Sequence, residues 1–69
     1  MTRPAPEVVD EILALVGEAE VMAEQIRWRV DRGLAEEALD RLRRQVHRWQ
    51  AIDDRLGECR EELRELEAA

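Results

Sequence analysis

The chain has 69 residues, of which 41% are charged and 45% are hydrophobic, and its net charge is −6 at pH 7. That length allows a single small domain. The sequence contains no Ser, Asn, Lys, Tyr or Phe, and it has one Thr, one His and one Cys. These counts exclude an internal disulfide, a structural zinc shell, a lysine Schiff base and a hydroxyl nucleophile within the chain. We therefore predict a protein that is not an enzyme and that binds no metal and no cofactor.

Hydropathy and charge also limit where the protein acts. The longest apolar run is Ile12 to Val16, whereas a membrane-spanning helix needs about 20 predominantly apolar residues. The amino terminus lacks the apolar core of a signal peptide. The sequence therefore predicts a cytoplasmic protein that makes no membrane contact. The acidic balance argues against nucleic acid as the main partner.

The first predicted element is a helix over residues 6–32, which follows a disordered start at residues 1–5. Pro6 suits the first turn of a helix, and the acidic residues around it favour the positive end of the helix dipole. Gly33 is typical of the residue that follows the last turn. Apolar residues spaced by three and four predict a core-facing seam. That seam consists of Val9, Ile12, Val16, Ala19, Ala23, Ile26 and Val30.

A second helix is predicted over residues 35–66, after a turn at residues 33–34. Its seam continues the spacing of three and four to the end of the chain. The predicted positions are Ala35, Ala38, Leu42, Gln45, Trp49, Ile52, Leu56, Cys59, Leu63 and Leu66. So short a turn makes the helices antiparallel neighbours. Folding about residues 33 and 34 places Ala19 opposite Trp49, which is a favourable match of small and large side chains.

The predicted fold is therefore all-α, an antiparallel, coiled-coil-like hairpin of two helices. A lone hairpin of this size has little margin of stability. We expect it to pair with a second copy, forming a four-helix bundle, or to pack onto a larger protein. The apolar residues left outside the predicted seam would form that interface, namely Val8, Leu15, Met22, Leu39 and Val46.

The charges are segregated along the chain. Residues 27–48 carry a net charge of +3, whereas residues 1–26 carry −5 and residues 49–69 carry −4. The folded hairpin would be basic at the turn and acidic at its open end, which favours antiparallel packing of two copies. The predicted polar and aromatic contacts of the interface are Trp28, Arg41, Arg44 and Arg48. As an alternative, these residues together with Arg43 could make the protein a small subunit of a nucleic-acid-processing complex.

Four further features have simple interpretations. His47 falls on the outward line of the second helix and is interpreted as a solvated surface residue. Cys59 lies on the seam and is interpreted as a small core residue. Gln45 is either a buried amide that fixes the register or a half-exposed residue at an edge. Arg41 and Arg44 are expected to pair with Glu37 and Asp40 one turn earlier in the chain.

The stretch from Arg27 to Gln50 resembles the small co-chaperones that guard needle subunits in type III secretion. The resemblance is carried by Arg32-Gly33 at the turn and by Glu37, Leu42 and Gln45 after it. Members of that family are helical hairpins of similar length. The resemblance implies an adaptor that binds a tetratricopeptide chaperone and a needle protein, with Leu39 and Trp49 as apolar anchors.

A second resemblance is to the small subunit of exonuclease VII, which is also an acidic hairpin. It is carried by Ala23-Glu24-Gln25-Ile26, by Gly33, by residues 35–39, and by Val46 and Leu56. This resemblance implies a nucleic-acid-processing assembly. Overall, the sequence predicts a non-enzymatic module for protein–protein interaction, with the nucleic-acid complex as the alternative.

Overall fold

A computed structural model describes residues 3–68, which form two α-helices. Helix α1 spans Ala5–Asp31 and helix α2 spans Ala35–Ala68. The helices pack side by side in a rod of 51 × 17 × 14 Å. No strand occurs in residues 3–68, and neither helix is long and apolar enough to cross a membrane. The predicted all-α hairpin is confirmed.

The start of α1 depends on two prolines. The Pro4 carbonyl accepts hydrogen bonds from the backbone N–H groups of Glu7 and Val8, at 3.1 and 3.4 Å. Pro6 lies in the first turn, where a missing N–H costs nothing because that group has no partner within the helix. The helix begins one residue before its predicted start, and α2 ends two residues beyond its predicted end. Of the predicted disordered stretch, residues 1 and 2 lie outside the described residues.

The turn is formed by residues 32–34 and is closed by two backbone hydrogen bonds. The Leu34 N–H donates to the Arg29 carbonyl at 2.8 Å, and the Gly33 N–H donates to the Val30 carbonyl at 3.0 Å. This pair of bonds is the Schellman motif, which needs a left-handed residue after the helix. Gly33 supplies that conformation, with φ at +75°. Any other residue here would strain the backbone.

The hairpin core follows one heptad line on each helix. In α1 the line runs through Val8, Leu15 and Met22; in α2 it runs through Ala38, Gln45, Ile52 and Cys59. Val8 and Cys59 are fully buried. The predicted seam of α2 contains all of these α2 positions, and cross-helix partners such as Gln25 and Gln45 fit the predicted register to within two positions.

The predicted seam of α1 is wrong at four of its seven positions, whereas its other positions Ile12, Ala19 and Ile26 are half-buried. Val9, Val16, Ala23 and Val30 are exposed, whereas the preceding residues Val8 and Met22 are buried and Leu15 is half-buried. Val8 and Met22 therefore stabilise the hairpin itself and are not available to a partner. The reason is that α1 carries two adjacent apolar lines, and its own periodicity does not decide which of them α2 covers.

Candidate functional site

The two sides of the hairpin differ in a way that follows from helix geometry. Each residue turns a helix by about 100°, so the residue after a core position lies on one side and the residue three after it lies on the other. Because the helices are antiparallel, the same offset leads to the same side of the hairpin on both. We call these two surfaces the apolar side and the polar side. The polar side consists of Glu11, Glu18, Gln25, Arg41, Arg48, Arg55 and Glu62.

On the polar side, heptad-spaced residues of α1 contact heptad-spaced residues of α2. Arg41 donates to the side-chain oxygen of Gln25 at 2.7 and 3.1 Å. Arg48 makes a bidentate pair with Glu18 across the helices. Arg55 makes a bidentate pair with Glu11 in the same way. These bonds close one edge of the helix interface with the chain's own side chains.

An ion-pair network fastens the open end of the polar side. Arg3 donates to Glu62 at 2.9 and 3.0 Å, and it lies 2.7 Å from Glu11. Arg55, joined by Arg3, lowers the pKa of Glu11 from its ordinary value of 4.5 to about 2. Arg3 also lowers the pKa of Glu62. Arg3, which was predicted to be disordered, therefore binds both helices through this network.

In the described part of the chain, the apolar side has no comparable network of polar contacts between the helices, and its charged residues Asp53 and Arg60 lie toward the open end of α2. Among residues 3–68, nine large hydrophobic residues are exposed, and six of them lie here. They follow the core lines of both helices by one or four residues, and each exposes between 39% and 54% of its surface. The apolar side consists of Val9, Val16 and Val30 with the small Ala23 on α1, and of Leu39, Leu42 and Val46 on α2.

A shallow groove of about 460 Å³ lies on the α2 half of the apolar side. It is lined by Leu42, Val46, Trp49, Gln50 and Asp53. The Trp49 indole N–H beside it is buried and has no hydrogen-bond partner, and the same is true of the Gln45 side-chain oxygen. The Gln45 amide instead donates to Gln25 at 3.4 Å. Gln45 is thus half-buried, as expected of a residue at an edge. Its side-chain amide also contacts α1, as expected of an amide that fixes the register.

The structure separates the predicted apolar interface residues into two groups. Leu39 and Val46 are exposed and lie together on the apolar side. Val8, Met22 and Leu15 belong to the core line of α1 instead. Sequence reasoning missed the exposed residues Val16 and Leu42 because it assigned them to the seam between the helices. The heptad-spaced residues of the polar side could have identified Val16 and Leu42 as exposed, because they indicate that the opposite side of the hairpin is apolar.

The predicted polar contacts are mostly engaged within the chain. Arg41 and Arg48 belong to the polar side, as described above. Arg44 lies 3.4 Å from Asp40, as predicted. The predicted pair of Glu37 with Arg41 is replaced by the bond to Gln25, because Arg41 points across to α1. His47 is exposed and Cys59 is buried, in agreement with their interpretations.

Trp28 lies on the outer surface of α1, away from the apolar side. Trp28 precedes the half-buried Arg29 by one residue, and Val30 follows Arg29 by one residue. The side chains of Trp28 and Val30 therefore project to opposite sides of Arg29. Trp28 is 49% exposed, and the Arg32 guanidinium lies 3.9 Å from the centroid of its ring. Arg32 thus covers part of the aromatic face through a cation–π contact. The exposed Val21 lies one heptad earlier on the same line.

Comparison with protein-family models, with curated proteins and with solved structures finds no match for this chain. The resemblances to a secretion co-chaperone and to an exonuclease subunit therefore stay predictions. Within residues 3–68, no group of three His, Cys, Asp or Glu side chains is placed to hold a metal ion.

Proposed function

We propose that this protein is a non-enzymatic protein–protein interaction module of the cytoplasm. It acts as a small helical adaptor by packing the apolar side against a second copy of itself or against a larger protein. Val16, Leu42 and Val46 are the central contacts of this surface, and the polar side holds the two helices in a fixed relation.

The observation that carries this proposal is the concentration of six exposed large hydrophobic residues on one side of the hairpin. Single exposed hydrophobic residues are normal on protein surfaces, but a contiguous patch is typical of an interaction site. On α1 the patch extends from Val9 near the open end to Val30, and on α2 it extends from Leu39 beside the turn to Val46. A partner helix or helix pair laid along the rod would cover it.

The small core gives independent support. Val8, Met22, Ala38, Ile52 and Cys59 are the buried hydrophobic residues of the described chain, and two of these side chains are small. Small domains bury too little apolar surface to be stable with a wide margin. Covering the apolar side would add burial at both helices. The resemblance to the secretion co-chaperones is in accord with this mode of binding.

The alternative, a subunit that contacts nucleic acid through the basic turn end, has weaker support. Arg41 and Arg48 are bound to Gln25 and Glu18, and Arg44 lies beside Asp40. Phosphate contacts need cationic side chains that release counterions on binding. Arg44 and Arg48 are already paired with carboxylates within the chain, so they contribute less to such binding. A steep loss of affinity for nucleic acid between low and physiological salt would favour the alternative.

The experiment compares four tagged full-length proteins, wild type and three variants, for self-association and for capture of other proteins from a lysate of the source cells. Val16→Glu and Val46→Glu place a carboxylate on the apolar side. Val21→Glu is the matched control, because Val21 is equally apolar and 58% exposed but lies away from the apolar side, where it lines a separate groove with Trp28. We expect wild type and Val21→Glu to associate, with themselves or with the same partner, and both apolar-side variants to lose association.

Circular dichroism establishes that each variant remains helical, so that a loss of association reports on the surface. The proposal fails if wild type neither self-associates nor retains a partner. It also fails if the Val16→Glu and Val46→Glu variants retain everything that wild type binds.

A further inference from the structure

We infer that the occupant of the apolar side is a second copy of this chain, in a two-fold antiparallel pairing with the turns at opposite ends. This inference rests on the proposed function and names its partner. In such a pairing α1 packs on α1 of the second copy and α2 packs on α2, because the two-fold axis crosses the rod. The product is a four-helix bundle.

The size of the surface suits a dimer. The hairpin is 51 Å long and 17 Å wide, so one side offers roughly the 800 Å² per partner that a stable interface buries. The patch is elongated: on α1 it runs from Val9 to Val30, and on α2 it runs from Leu39 to Val46. A second hairpin has the same length and width, so it covers the patch without leaving either end exposed.

The apolar residues are distributed so that a reversed copy complements them. On α1, Val9 and Val16 lie toward the open end, and Ala23 and Val30 lie toward the turn. Because α1 is shorter than the rod, centring the two rods on each other sets Val16 near Val16 of the second copy and Val9 near Ala23 of the second copy. Large side chains thus meet small or equal ones, which allows close packing of the two α1 helices.

Charge selects the antiparallel orientation over the parallel one. The turn segment, residues 27–48, carries +3, and the two segments of the open end carry −5 and −4. Antiparallel pairing lays each basic end along an acidic end, whereas parallel pairing brings like charges together at both ends.

The first test is the mass of the full-length protein by sedimentation equilibrium over a wide concentration range. We expect a reversible dimer. Val16→Glu should raise its dissociation constant by roughly a hundredfold, because the two-fold axis introduces two carboxylates into the apolar contact. Val21→Glu should change the constant by less than about twofold. If the Val16→Glu variant loses helicity, Val46→Glu, at a position that is 51% exposed, replaces it.

The second test measures orientation with one spin label at the turn. Glu36→Cys provides an exposed attachment point, and the buried Cys59 is replaced by Ala. Antiparallel pairing places the two labels near opposite ends, at a separation close to the 51 Å length of the rod. Parallel pairing places them within about 20 Å, because packed helices lie 8–10 Å apart. A long distance supports the inference and a short one overturns the orientation.

If the protein is a monomer at every concentration, the inference that a second copy covers the apolar side is overturned. That result is distinguishable from failure of the proposed function. A monomer that captures another protein through the apolar side leaves the interaction module intact, whereas a monomer that captures nothing removes both. A dimer that is unaffected by both Val16→Glu and Val46→Glu places the contact elsewhere and overturns the inference.

Discussion

The two sides of this hairpin use the same heptad framework for opposite purposes. On the polar side, arginines of α2 reach across to acceptors on α1, as Arg48 does to Glu18 and Arg55 does to Glu11. On the apolar side, short aliphatic side chains such as Val16 and Val46 stop at the surface and stay exposed. Side-chain length and charge therefore decide which edge the chain closes by itself.

The polar side therefore holds the two helices of the hairpin together, whereas the apolar side leaves hydrophobic surface uncovered. Long arginine side chains can cover the helix interface with their aliphatic stems while their charged heads stay in water. Valine and leucine have no polar group to present to solvent, so their exposure lowers stability until something covers them. Substitutions on the core and on each side should therefore have effects of different size and kind.

The largest effect is expected at the core line. Met22→Glu places a carboxylate at a residue that is only 6% exposed, and it should lower the free energy of unfolding by more than about 3 kcal/mol. Val21→Glu, one residue away on the outer surface, should change it by less than about 0.5 kcal/mol. Urea unfolding followed by circular dichroism measures both. Equal losses would contradict the assignment of the core line.

The second-largest effect is expected on acidification, which should weaken the ion pairs of the polar side and so lower the stability of the hairpin. The pKa of Glu11 is about 2 in the hairpin, below the ordinary value of 4.5 for this carboxyl group. The ionised carboxylate therefore stabilises the fold above pH 4.5. That contribution is lost as the pH falls toward 2, because the proton is then bound in both states. The pKa of Glu18 is also lowered, by Arg48, so the same loss applies there.

The matched variant is Glu11→Gln, which removes the charge and keeps the size of the side chain. Its urea midpoint should lie below that of wild type at pH 7, and the gap should narrow as the pH approaches 2. A gap that stays constant between pH 7 and pH 2 would show that the Glu11 charge does not stabilise the hairpin.

A smaller change is expected at Gln45, on the α2 core line. Its side-chain oxygen is buried without a partner, which costs free energy relative to an apolar side chain. Gln25 retains both hydrogen bonds from Arg41 if Gln45 is replaced. We therefore expect Gln45→Leu to stabilise the protein by about 1 kcal/mol. Thermal and urea unfolding measure the change, and a loss of stability would assign a structural role to the Gln45–Gln25 contact.

The smallest effect is expected at an ion pair that belongs to neither side. Arg44 and Asp40 lie on one helix, with 73% and 67% of their side chains exposed, so Arg44→Ala should cost less than about 0.5 kcal/mol. Arg48→Ala should cost more, because Arg48 joins the two helices through two bonds. If the two variants lose equal stability, the cross-helix contacts of the polar side contribute no more than a surface pair.

The sequence by itself determined the two helices, their turn and the core line of α2. These features depend on local properties. Pro6 fits only an early helical position, and Gly33 permits the left-handed residue that ends α1. In the second half of α2, charged residues such as Asp53, Glu58 and Arg60 flank the core line, so a spacing of three and four has one solution there. Ile52 and Cys59 were therefore predicted as core residues, and like the predicted Ala38 they are buried.

Only the tertiary structure decided which apolar line of α1 faces α2, and hence which surface remains open. Val8 and Val9 are equally apolar, as are Leu15 and Val16, so hydropathy along α1 is satisfied by either line. The choice is made by residues distant in sequence. Arg48 and Arg55 bind Glu18 and Glu11, and these pairs fit the orientation of α1 in which Val8 and Met22 are buried and Val16 is left at the surface.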